Sequence, residues 1–149
     1  MADEALPQAK LKLRAEDEED LAVVSAFLQD ALVPVAEMVF LPDEQRFVLV
    51  ANRFMWERKP VDKKGHCERT LTGIAFDGVT AVHVRGFERS DGDRILEVLA
   101  VRATAGAIIF EFSGADAMRL EVGRILCHLE DIGEPWPTPW RPRHALDEG

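Results

Sequence analysis

The stretch AIIFEFSGADAMRLEVGRILCHLEDIG, residues 107–133, decides the fold, because its apolar spacing changes partway along. Ile108, Phe110 and Phe112 alternate with Ile109 and Glu111, the period-two pattern of a strand with one buried face. After Ser113-Gly114, the residues Met118, Leu120, Val122, Ile125, Leu126 and Leu129 read as the apolar stripe of an amphipathic helix. Arg119, Glu121, Arg124, Glu130 and Asp131 fill the positions between them. Ser113 can cap such a helix and Gly133 can end it. This spacing predicts a strand feeding directly into a long C-terminal helix. Leu126 is expected in its buried seam, with Cys127 packed beside it as a small apolar residue.

Upstream, AKLKLR (residues 9–14) alternates as a short strand. From Asp17 to Leu32 the set Leu21, Val24, Phe27, Leu28, Ala31 and Leu32 falls on one helical face. Asp17 stands at the cap, three acids follow it in the first turn, and Pro34 ends the run. VPVAEMVFLP and QRFVLVANRFMWE flank Pro42-Asp43-Glu44 as a hairpin. RTLTGIAF and VTAVHVRGF flank Asp77-Gly78, a strong hairpin signal. RILEVLAVRAT and GAIIFEF follow, split by Gly106.

The expected class is therefore α+β: an antiparallel meander of six to seven strands with an N-terminal helix and a long C-terminal helix. A bent meander closed by one helix resembles a pleckstrin-homology-like, partly open barrel. The alternative is an open antiparallel sheet with two helices on one face. At 149 residues the chain fits a single domain, with residues 1–8 as a frayed tail and 134–149 as a proline-rich one.

The strings SAFLQDAL, RFVLVANRFMWE, ILEVLAV and MRLEV are also similar to a family of short, uncharacterised bacterial proteins, domain of unknown function two-nine-four-eight. The resemblance runs from about Leu11 to His144 and implies a single domain. It implies no catalytic residue, substrate or cofactor.

Charge narrows the function classes. A net charge of -9 disfavours binding to nucleic-acid phosphates, and it opposes attachment to anionic membranes. MADEALPQAK has neither a basic start nor an apolar run, and nowhere do about 18 apolar residues follow one another, so a cytoplasmic address is expected. Seven basic residues against three acidic ones between Arg46 and Arg69 place one basic loop on an acidic body.

Chemistry is sparse. His66-Cys67 and Cys127-His128 hold four zinc-ligand types, but without ligand spacing. No Gly-x-Ser-x-Gly string, Walker string or calcium loop is present. No catalytic, metal or cofactor residue is assigned, and the chain is not expected to be an enzyme. The candidate ligand or partner residues are Arg53 and Trp56, then Arg58, Lys59, Lys63 and Lys64 of the basic loop 58–69, and Trp136 and Trp140 of the tail. Arginine beside aromatics can clamp a carboxylate or phosphate. The tail contains a loose Pro-x-x-Pro ligand pattern, yet its two indoles favour docking on the protein's own surface. The leading expectation is a non-catalytic module that binds a protein or peptide. The runner-up is a small-molecule or anion-binding protein, an enzyme included, using Arg53, Trp56 and the basic loop 58–69.

Overall fold

A computed structural model describes residues 10–57 and 67–138. In chain order its elements are β1 (Lys12–Ala15), α1 (Glu18–Leu28), β2 (Leu32–Pro34), β3 (Met38–Leu41), β4 (Arg46–Phe54), β5 (Cys67–Asp77) and β6 (Val79–Arg85). Then follow β7 (Ile95–Thr104), β8 (Ala107–Phe112), β9 (Ala117–Val122), β10 (Cys127–Asp131) and β11 (Trp136–Thr138). Among the described residues, eleven antiparallel strands form one open sheet in the order β1-β10-β5-β4-β2-β7-β8-β9-β6, with β11 added to β5 and β3 to β4. This overturns both the six- to seven-stranded, pleckstrin-homology-like meander and the sheet with two helices on one face. Among the described residues only one α-helix exists.

The largest departure from expectation is in residues 107–133. Ser113–Ala115 is a tight turn, not a cap, and the expected helix is two strands, β9 and β10. Met118, Leu120 and Val122 are buried while Arg119 between them is exposed, and Cys127, Leu129 and Asp131 are buried around exposed His128 and Glu130. Leu120 carries the distinction: at about 100° per residue a helix would put it roughly 200° from Met118, on the wet face. In a strand it joins the same face, and it is wholly buried. Leu126 lies in the β9–β10 connection and is only half-buried, so it is not a core anchor. Gly133 ends no helix; its carbonyl accepts the Thr70 hydroxyl at 3.2 Å.

Two further expectations change. Helix α1 does begin at Asp17, whose Oδ1 accepts the Asp20 amide at 2.8 Å, but it ends at Leu28 rather than Leu32. There Asp30 turns to φ 65°. The Asp30 amide then donates to the Val98 carbonyl at 2.8 Å and the Val98 amide to that of Ala31 at 2.9 Å, so the chain exchanges helical bonds for pairing with β7. Asp77-Gly78 makes no hairpin, because β5 already has β4 on one edge and β10 on the other. Gly78, at φ 75°, instead passes the chain to β6, which pairs with β9. The β1 strand and the β7–β8 hairpin are as expected, but the run VPVAEMVFLP is split: Leu32–Pro34 is β2, which pairs with β7, and only Met38–Leu41 forms the hairpin with β4.

The sheet folds back on itself in two leaves. The first contains β1, β10, β5, β4 and β3, and the second β7, β8, β9 and β6. Leu32 of β2 bridges them, pairing with Asn52 and Glu97. A register shift between Val98 and Ala100 marks where β7 leaves β2 for β8, as a bulge bends a strand. Between the leaves, Phe76 meets Phe110 edge-on at 5.6 Å, and Leu21, Val24 and Leu28 of α1 close the same core.

Leu120→Ala is expected to destabilise by about 2 to 5 kcal/mol, as burial is lost and a cavity remains, while Leu126→Ala costs less than about 1.5 kcal/mol. Denaturant midpoints of the two variants give the comparison, and the reverse order would restore the helix.

Candidate functional site

At one end of the inter-leaf space, alternation carries the inward column Phe47, Leu49, Ala51 of β4 on to Arg53, which is 0 % exposed. A cation there requires partners, and it has two carboxylates. Its Nε donates to Asp131 Oδ1 at 3.0 Å and its Nη2 to Oδ2 at 2.8 Å. Its Nη1 and Nη2 donate to Glu57 Oε1 and Oε2 at 3.0 and 2.7 Å. Thr72 adds a hydroxyl to Asp131 at 2.7 Å, the Leu11 amide donates to the same carboxylate at 3.3 Å, and the Phe27 ring lies 5.5 Å from the guanidinium carbon. Burial alone would lower the basicity of Arg53, but the hydrogen bonds and charges of Glu57 and Asp131 outweigh it and raise it. Burial likewise opposes ionisation of Asp131 and Glu57, yet the bonds from Arg53, with Thr72 assisting at Asp131, hold both carboxyls below their ordinary values.

Arg53 is thus a structural tie, four of its five donors already given to carboxylates. Trp56 is tied as well, its indole N–H donating to the Gln29 carbonyl at 3.0 Å and its ring 4.7 Å from Phe54. Arg58, Lys59, Lys63, Lys64 and Trp140 lie outside the described residues, as does His66. Cys127 faces the core and His128 faces out, so the two cannot turn to one metal. Burial, with the Asp77 carboxylate adding to it, pushes the Cys127 thiol up to about 12. Among the described residues no three metal-ligating side chains gather.

Trp136 opens β11, which lies against the same edge of β5 as β10 does. The tail therefore begins docked, through backbone pairing, while the Trp136 ring remains 37 % exposed. It shares the outer face of the first leaf with Leu71 and Ile132, both also exposed. That face contains what sequence reasoning missed: a groove of about 370 Å³ floored by Gly73 and walled by Val39, Val48, Val50, Ala75 and Ile132. Cross-strand register makes it. Val39, Val48, Ala75 and His128 form one row, and Val50, Gly73 and Glu130 the next. The missing side chain of Gly73 is the depression. The signal was present in the outward residues of RFVLV, aliphatic where a solvated face would be polar.

A family model described as Protein of unknown function (DUF2948) matches residues 11–144. No curated protein and no solved structure matches the chain.

The carboxyls of Asp131 and Glu57 are lowered in the folded state, so they stabilise it above the unfolded values of about 3.9 and 4.3 and cease to do so as pH falls through the folded ones. Stability should decline from about pH 5 downward. Arg53→Met should cost about 3 to 5 kcal/mol at neutral pH by stranding Asp131, and Arg53→Met/Asp131→Leu should cost less than the single change. Urea unfolding across pH measures both.

Proposed function

Because the chain belongs to the DUF2948 family, whose name assigns no chemistry, we propose that it is a non-catalytic interaction module. In this reading the outer face of the first leaf receives an aliphatic or aromatic anchor side chain of a partner protein. The observation that carries it is the Gly73 groove, an apolar depression on a sheet face that would otherwise be solvated. Val39, Leu71 and Ile132 are 44, 40 and 51 % exposed around it, and Trp136 extends the patch along β11. Glu37, His128 and Glu130 supply a polar rim, the arrangement in which a buried anchor carries most of the binding energy and the rim excludes water. The runner-up, a ligand held by Arg53, loses support because that guanidinium is sealed between Asp131 and Glu57. No helix among the described residues is long and apolar enough to cross a membrane.

A substitution at Gly73 separates docking from folding. A Cβ there would meet Ile132 Cγ2 at 3.7 Å and the Glu130 carbonyl at 3.9 Å, both ordinary contacts. Gly73→Val should therefore fold with unchanged or higher melting temperature, since valine favours strands and lowers the entropy lost on folding. The proposal predicts that proteins captured on the wild-type chain are lost on Gly73→Val and on Val39→Asp. Equal capture by all three would overturn it.

A further inference from the structure

The second leaf presents a different chemistry outward. Register aligns His83 of β6, Arg119 of β9, Ile109 of β8 and Arg102 of β7 in one row across four strands. The next row on the same face is Arg85, Ala117 and Glu111, and on the other side stand Ala81, Glu121 and Ala107. On a chain of net charge -9, three arginines and a histidine thus share one sheet face. The two acids there are already engaged: Glu121 with His83 at 2.6 Å and Glu111 with Arg102 at 2.5 Å. Neither Arg85 nor Arg119 comes within ion-pair or hydrogen-bond distance of an acid among the described residues, although the bond and charge of His83, and after them the charge of Arg119, hold the Glu121 carboxyl below its ordinary value. Both are exposed, and both flank Ala117: Arg85 is directly opposite it and Arg119 is two residues along its strand. Diagonal neighbours of this kind lie about 7 to 8 Å apart at the backbone, within mutual reach of two long side chains. Ala117 lies in a cleft of about 250 Å³ lined by Arg85, Arg119, Arg102 and His83, with half-buried Ile109 as its apolar wall.

We propose that this cleft binds the phosphate group of a small phosphorylated molecule. Arg85 and Arg119 grip the phosphate above Ala117, and the molecule's apolar portion rests on Ile109. Two planar forks match the dianionic charge and the several oxygens of a phosphate better than those of a single carboxylate, which one guanidinium satisfies. The cleft is below the roughly 300 to 1,000 Å³ of drug-sized sites, which suits a small molecule. This site is separate from the Gly73 groove and does not depend on it.

Phenyl phosphate, inorganic phosphate and phenylacetate, titrated into the full chain at low salt and followed by amide chemical shifts, test the assignment. Phenyl phosphate should saturate, more tightly than inorganic phosphate and at least about tenfold more tightly than phenylacetate, with shifts centred on Ala117 and Ile109. Arg119→Gln and Arg85→Gln should each weaken it about tenfold or more, and Arg119→Lys less. Arg89→Gln, an exposed loop arginine, should leave it unchanged. The proposal is overturned by the absence of saturation, by phenylacetate binding equally well, or by inorganic phosphate binding as tightly as phenyl phosphate. Arg89→Gln weakening the complex as much as Arg119→Gln would overturn it too, since binding would then follow overall charge alone.

Discussion

A guanidinium with no exposure to water cannot be left unpaired, and the constraint that Arg53 imposes runs through much of the first leaf. Its four bonds to Asp131 and Glu57 join β4 to β10 and fix the residues that follow β4. Asp131 in turn takes Thr72 of β5 and the amide of Leu11 before β1. Phe27 lays helix α1 over the same group. A buried ion pair is a weak source of net stability, because desolvation offsets its attraction. Its effect here is on alternatives: a register slip of one residue in β4 or β10 would turn Arg53 or Asp131 to the opposite face and strand the other charge inside.

With the interior committed in this way, chemistry is left to the two outer faces, which differ. The first leaf shows aliphatic residues around a glycine floor, and the second shows arginines around an alanine floor. The two leaves use one device: a small residue between larger cross-strand neighbours leaves a depression. The neighbours set its polarity. In the reading proposed above, it is the shape and polarity of each depression that would select what docks on it.

Legibility in the sequence followed the range of each interaction. Alternation in AIIFEF and the turn at Pro42-Asp43-Glu44 are local, and β8 and the β3–β4 hairpin formed where expected. The stretch after Ser113 reads as a helix because Met118, Val122, Ile125, Leu126 and Leu129 fit that spacing, although Leu120 does not. Gly123, a poor helix residue in mid-run, pointed the same way. Asp77-Gly78 is turn chemistry in either outcome, and which strand follows depends on β10 occupying the edge of β5 from more than fifty residues on. Arg53 was singled out for its charge and aromatic neighbours, but its partner Asp131 is 78 residues away in the sequence. Nothing local announces that pairing. The groove at Gly73 is likewise a product of register between strands, visible only once the rows are aligned.

The central claim is that Arg53 is sealed as a structural tie and not held ready for a ligand. The most direct measurement is the nitrogen-resolved signal of its Nε–H at neutral pH during an anion titration. A tied, wholly buried donor should exchange slowly with water, give a sharp signal displaced from those of exposed arginines, and stay fixed as phosphate or acetate is added. A rapidly exchanging Arg53 Nε–H that moves with added anion would contradict the account and return Arg53 to the surface as a binding residue.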